Sequence, residues 1–133
     1  MLVDAGPLVA LLSREDANYR RCRAVFRGLR DPLLTVWPAL TEAMHLLRES
    51  WGGQDRLFGL LEVGSVEIVP LGPADLARMR QLMQKYHDLP MDLADAALVT
   101  VAEREGITRV FTLDRRDFEV YRPAKIGRFS LVP

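Results

Sequence analysis

The chain has a single cysteine, Cys22, and only two histidines, His45 and His87, among its 133 residues. One cysteine cannot close an internal disulfide, so the chain is not one of the stapled scaffolds that oxidising compartments favour. Neither histidine has a cysteine or second histidine at metal-ligand spacing, which speaks against a zinc centre. An excess of charge of one sign is also missing. Eighteen Lys+Arg face 18 Asp+Glu, for a net charge of zero. That balance excludes a partner held by bulk charge alone, but not a local basic rim around an acidic pocket. No apolar run approaches the roughly 20 residues of a membrane span. Met1-Leu2-Val3-Asp4 reaches a carboxylate at once, without the basic and apolar segments of a signal peptide. A cytoplasmic, reducing location is the expectation. Glycine-rich phosphate loops, dinucleotide fingerprints and serine elbows are absent as well.

What is present is an ordinary globular composition, 49 % hydrophobic and 27 % charged, at a length suited to a single domain spanning 1–133. Leu2-Val3 reads as a first strand, and Pro7 suits the first turn of a short helix through Leu12. Ser13 or Asp16 is placed to cap a second helix carrying Tyr19, Cys22, Val25, Phe26 and Leu29 at helical spacing. Leu33 to Trp37 reads as a second strand ended by Pro38. Ala39 to Trp51 has the helical period and is stopped by Gly52-Gly53, before another helix from Gln54 to Val63. Val66 to Leu71 is a third strand, and Gly72-Pro73-Ala74-Asp75 opens a helix with Leu76, Met79, Leu82 and Met83 on one face. Met91 to Arg104 is a strongly apolar helix closed by Gly106. Arg109 to Leu113 is a fourth strand and Phe129 to Val132 a fifth. Strands alternating with helices imply an α/β fold with a mainly parallel sheet covered on both faces.

Carboxylates recur where such a fold builds its sites, at or just past the carboxyl ends of strands. Asp4 follows the first strand and Asp114 the fourth, in Thr112-Leu113-Asp114. Glu42 lies one turn into the helix after the second strand. Asp92 and Asp95 sit three apart on the apolar helix, so they share a face. Four of them have a structural reading: Asp4 and Asp92 as helix caps, Glu42 as a helix-dipole partner, Asp95 in a salt bridge with an arginine. Together they would repel strongly, since two carboxylates about 5 Å apart cost about 3 kcal/mol at an effective dielectric near 20. Raised pKa values or a bound cation must relieve this. All-oxygen ligands suit Mg²⁺ or Mn²⁺, and the chemistry that follows is metal-assisted hydrolysis of a phosphodiester.

Taken in order, these segments resemble a known family. Leu2-Val3-Asp4-Ala5-Gly6-Pro7-Leu8-Val9-Ala10-Leu11-Leu12 resembles the opening motif of PIN-domain nucleases, and Leu40-Thr41-Glu42-Ala43 their glutamate motif. Met91-Asp92-Leu93-Ala94-Asp95-Ala96 is similar to the third acidic motif, and Val110-Phe111-Thr112-Leu113-Asp114-Arg115-Arg116-Asp117-Phe118 to the fourth. The length is most similar to VapC-type toxins of type II toxin–antitoxin pairs. The resemblance implies a three-layer α/β/α fold, Mg²⁺- or Mn²⁺-dependent endoribonuclease activity, homodimerisation and inhibition by a cognate antitoxin. It implies Asp4, Glu42, Asp95 and Asp114 as catalytic acids, with Asp4, Asp95 and Asp114 as metal ligands. Asp92 and Asp117 remain alternatives for the third and fourth acids, and Thr112 is placed to orient phosphate or water beside Asp114. Ala5 stands where the family often has threonine or serine, which removes one hydroxyl near the metal. Arg115 and Arg116 are candidates for RNA contact. The arginines at 20, 21, 23, 27 and 30 read first as a solvated helix face.

A housekeeping RNA-processing nuclease and a catalytically silent PIN module are the alternatives within the family. A phosphoryl-accepting receiver domain would need an acidic acceptor after the third strand, where Val69-Pro70-Leu71-Gly72 has none.

Overall fold

A computed structural model describes residues 1–133. Five strands form one wholly parallel sheet: β1 (Leu2–Val3), β2 (Leu33–Thr35), β3 (Val66–Ile68), β4 (Arg109–Phe111) and β5 (Ser130–Val132), in the spatial order β3-β2-β1-β4-β5. Side chains alternate across so short a sheet and build two cores. Leu2 and Val110 face one side, with Met79, Leu82, Tyr86, Leu98, Phe118 and Tyr121. Val3, Leu33, Val66 and Phe111 face the other, with Leu8, Cys22, Leu40 and Leu57. The helices α5 (Leu76–Lys85), α6 (Leu93–Glu105) and α7 (Arg115–Val120) cover the first face. The second is covered by α1 (Ala5–Leu12), α2 (Tyr19–Arg27) and α4 (Trp51–Glu62). Between them, α3 (Trp37–Leu46) touches both α1 and α6. The architecture is the three-layer α/β/α arrangement expected, and the sheet is parallel throughout.

The helix α6 is buried without interruption from Ala94 to Ala102, which explains its all-round apolar sequence. Its ends follow the sequence signals. The Asp92 side chain accepts from the Asp95 N–H at 2.8 Å, and Gly106 closes the helix in the left-handed region at φ 68°. No helix is long and apolar enough to cross a membrane.

Local differences from the sequence reading have physical causes. Trp37 is not a strand residue: it starts α3, because Pro38 fits a first helical turn as well as it ends a strand. Gly52-Gly53 does not stop a helix but lies inside the first turn of α4. Ser50 caps that helix by accepting from the Gly53 N–H at 3.0 Å. A Cβ on Gly53 would stand 3.1 Å from both Leu47 Cδ2 and Ser50 Oγ, so the glycine permits a close approach of α4 to the end of α3. Neither Ser13 nor Asp16 caps α2; its N-cap is Asn18, and the Asp16 carboxylate instead accepts from the Asn18 N–H. Residues 115–120, unassigned between two strands, form α7.

Candidate metal and catalytic site

The strand order reverses direction between β1 and β4, and in open parallel sheets the crevice outside such a point is where ligands bind. Six carboxylates line that crevice: Asp4, Glu42, Asp92, Asp95, Asp114 and Asp117, around a cleft of about 400 Å³. The topology alone accounts for three of them. Asp4 follows β1 directly and is joined to β4 by its N–H, which donates to the Phe111 carbonyl at 3.0 Å. Asp114 and Asp117 lie at the start of α7, just past β4. Asp92 and Asp95 come from the N-terminus of α6 and Glu42 from α3.

Three helices begin at the cleft. Asp4 caps α1, accepting from the Ala5 N–H at 2.7 Å. Asp92 caps α6. Asp114 caps α7, accepting from the Asp117 N–H at 3.2 Å. The positive ends of three helix dipoles therefore converge on the acids and offset part of their mutual repulsion. Capping and cleft lining are compatible, since each carboxylate has a second oxygen.

Two side chains tie the acids to the scaffold. Thr112 is fully buried, and its hydroxyl donates to Asp4 Oδ2 at 3.1 Å while accepting from the Asp114 N–H at 3.0 Å. It holds two acids in register, where the sequence pointed to phosphate or water. The other is Tyr121, also fully buried, whose hydroxyl donates to Asp95 Oδ2 at 2.6 Å. Tyr121 escaped the sequence reading, and it takes the place of the arginine considered for Asp95. Its ring is fixed edge-on by Tyr86 and Phe118, with centroids 5.0 and 5.2 Å away. The available signal was modest: Phe118 and Tyr121 share one face at helical spacing, and a buried tyrosine hydroxyl needs a partner.

None of the six acids is in an ion pair. Burial raises the pKa of Asp4 to about 6, with Glu42 and Asp92 adding to the effect and the bonds from Ala5 and Thr112 opposing it. Burial likewise raises Asp95 to about 8, reinforced by Asp4, Asp92 and Asp114 against the opposing bond from Tyr121. Glu42 and Asp117 are raised too, first by burial and then by neighbouring carboxylates, with Arg116 opposing the rise at Asp117. Oxygens of Asp95, Asp114 and Asp117 lie within 4.8 Å of one another, so one cation could touch all three. A set of carboxylate oxygens this close, none of them in an ion pair, fits a hard divalent cation.

Arg115 and Arg116 are exposed in the first turn of α7, at the rim beside Asp114. Arg115 donates to the Pro133 carbonyl and pairs with Glu119 at 3.5 Å.

A model of the PIN domain matches residues 1–123. The chain belongs to the PIN-domain family. Over the full length of both chains it is 28 % identical to Ribonuclease VapC26 of Mycobacterium tuberculosis (strain ATCC 25618 / H37Rv). Its fold is similar to the crystal structure of M. tuberculosis VapC20, described as a Sarcin-Ricin loop cleaving toxin. That match has a TM-score of 0.73 and 15 % identity, covering 82 % of this chain and 85 % of the other.

Proposed function

We propose that this PIN domain, one nuclease unit over residues 1–133, is a Mg²⁺- or Mn²⁺-dependent endoribonuclease and the toxin of a toxin–antitoxin pair. The observation that carries the reading is the convergence of six carboxylates, none of them in an ion pair, in one cleft at the sheet's reversal point. The full-length similarity to a VapC ribonuclease supports it.

In this reading Asp4, Asp95 and Asp114 hold the cation, and Asp117 is close enough to Asp95 and Asp114 to share it. A divalent cation held there would supply positive charge against the scissile phosphate and would lower the pKa of water. The chain's own residues do the rest. Tyr121 locks one oxygen of Asp95, Thr112 sets Asp4 against Asp114, and Glu42, raised from its ordinary value by burial first, is suited to accept a proton on the cleft's open side. Arg115 and Arg116 receive the substrate's neighbouring phosphates.

The toxin reading adds a cytoplasmic homodimer and an antitoxin. Leu57 and Leu82 are fully buried and Met79 nearly so, and belong to the core, whereas Phe58 is 49 % exposed and lines an apolar groove with Trp37, Met44 and Leu61. Apolar surface beside the cleft continues around Trp37 and Leu93, 61 % and 51 % exposed, where it adjoins Glu42 and Asp92. An antitoxin seated there could place an arginine among the acids and satisfy the same charge deficit as the metal.

The purified protein is expected to cleave RNA with Mn²⁺ or Mg²⁺, stop on addition of EDTA and work poorly with Zn²⁺. Cleavage that persists in EDTA refutes the metal mechanism. Expression of the wild type is expected to arrest bacterial growth, and Asp4→Asn to relieve it. Harmless expression of an active enzyme favours an RNA-processing role instead.

A further inference from the structure

The cleft poses an electrostatic problem. Six carboxylates repel a phosphodiester chain, and a divalent cation cancels only part of that charge. Attraction for the rest of the substrate has to come from outside the cleft, on a surface continuous with it.

One such surface exists. Residues 17–30 contain five arginines, Arg20, Arg21, Arg23, Arg27 and Arg30, and no acid, in a protein whose net charge is zero. None of the five is in an ion pair. Cys22 is buried, and Val25 and Phe26 pack in the same cluster with Leu113 and Val132. That packing leaves Arg20, Arg21 and Arg27 exposed. Arg20, Arg23 and Arg27 follow the i, i+3, i+7 spacing of one helix face and span about 10 Å of axis. Arg23 is held in place by Tyr19, donating to its hydroxyl at 2.6 Å with the guanidinium 5.6 Å from the ring centroid. The surface also connects to the cleft. Arg21 Nη2 and Arg115 Nη1 donate to the same Pro133 carbonyl, at 3.4 and 2.9 Å, and Arg115 is the residue after Asp114. The cationic path therefore runs from the cleft over Arg116 and Arg115 to Arg21 and along α2.

We propose that the arginine face of α2 is a track for the sugar–phosphate backbone of single-stranded RNA whose scissile bond lies in the cleft. The proposal rests on the nuclease reading for its substrate. It makes α2 a determinant of how long an RNA must be to bind well, while cutting is left to the acids.

The test is equilibrium binding of fluorescein-labelled oligouridylates in EDTA, where no cleavage occurs, so its outcome is separate from that of the nuclease assay. For an oligomer of about 12 nucleotides, Arg20→Gln/Arg21→Gln/Arg27→Gln is expected to raise Kd about tenfold at low salt. The slope of log K against log salt is expected to become shallower by about 2, the share of three released counter-ions on a single strand. An oligomer of about four nucleotides, too short to leave the cleft, is expected to lose far less. The triple lysine variant at the same positions should restore the slope, since a phosphate reads the charge. With metal, the glutamine variant should raise KM and leave kcat within about twofold.

Arg48→Gln/Arg80→Gln/Arg128→Gln makes the same change in net charge elsewhere and should leave the long oligomer's Kd unchanged. An unchanged Kd and slope in the α2 variant overturns the proposal. So does an equal loss for short and long oligomers, which would mean steering at a distance. Loss of poly-glutamate binding with RNA binding intact also overturns it, and reassigns the face to an acidic protein segment.

Discussion

The two ends of α6 handle carboxylates in opposite ways. At its C-terminal end Glu103 receives a two-pronged bond from Arg78, at 2.7 Å for each prong, and a third from the Ala124 N–H. Nearby, Arg104 pairs with Asp75 at 2.8 Å, and Asp75 also accepts from the Gly72 N–H. Burial works against ionised Glu103, yet Arg78 and Ala124 outweigh it and hold its pKa below the usual value. Asp75 is lowered as well, by the Gly72 N–H first and Arg104 next. At the N-terminal end Asp92 and Asp95 meet four further acids, none of the six in an ion pair, and Asp95 is pushed up to about 8. One helix thus carries acids that complete the fold and acids whose charge the fold leaves open. The difference lies in the supply of arginine, which pairs with the acids of one end and with none at the other.

The largest test of that contrast is the same isosteric exchange made at each end. Asp95→Asn is expected to abolish metal-dependent RNA cleavage and to raise the melting temperature of metal-free protein, by a few degrees on roughly 1 kcal/mol of relieved repulsion. Glu103→Gln should keep activity and lower the melting temperature by about 5 °C, because it weakens a charged hydrogen-bonded pair worth roughly 1–3 kcal/mol. Scanning calorimetry alongside a cleavage assay reads both. If Asp95→Asn destabilises the metal-free protein as Glu103→Gln does, the two ends are not different in kind.

Next in size is Tyr121→Phe, which removes the hydroxyl that fixes Asp95 and keeps the ring packed. Affinity for Mn²⁺, followed by calorimetric titration or by the spectrum of the free ion, is expected to fall about 10–100-fold, the usual cost of losing a group that orients a ligand. Tyr86→Phe is the matched control, since that hydroxyl accepts only from the Arg122 N–H. Equal losses in both would make Tyr121 a packing residue only.

The pH dependence should also split by end. Asp4 and Asp95 bind protons more tightly folded than unfolded, at about 6 and 8 against an ordinary 3.8. Their contribution to the metal-free fold is therefore greatest at low pH and is lost as pH rises from about 4 through 8. Asp75 and Glu103 are lowered, so theirs is present above the ordinary carboxylate range and is lost only as pH falls below it. Melting temperature without metal should decline between pH 5 and 8.5, and saturating Mn²⁺ should flatten the decline. A metal-free curve that rises over that interval contradicts the assignment.

The smallest expected difference separates two neighbours. Asp114 accepts the bond that caps α7 and follows Thr112 closely, whereas Asp117 lies one turn further on. Asp114→Asn should cost about tenfold more cleavage activity than Asp117→Asn. The reverse order would make Asp117 the principal ligand on α7.

How much of this was legible in the chain depended on distance along it. The Asp92 cap, the Gly106 stop, the buried character of α6 and the acids after β1 and β4 all follow from residues within a few positions of each other. Trp37-Pro38 and Gly52-Gly53 were ambiguous locally, because proline and glycine serve helix starts as readily as element ends, and packing against Leu47 and Ser50 decided the second case. Tyr121 and Thr112 carry their meaning across 26 and 108 residues, to Asp95 and Asp4 respectively. Only the β1–β4 pairing and the docking of α7 bring those partners together. The identity of the acids was written locally, and the groups that aim them were not. The arginine pairs of Asp75 and Glu103 belong to the same class: in sequence, a paired acid looks like an unpaired one.

The central strand of the sheet is also the shortest. Between β2 and β4, β1 has two residues, both without exposed surface, and the third position along is Asp4. No loop separates the interior from the chemistry there. Substitutions at Leu2 or Val3 that merely repack the interior will displace the Asp4 carboxylate as well, so a drifting lineage cannot repair one without disturbing the other. Among the aliphatic residues of the interior, tolerance to change should thus be lowest at Leu2 and Val3, and greater on the helices that surround them.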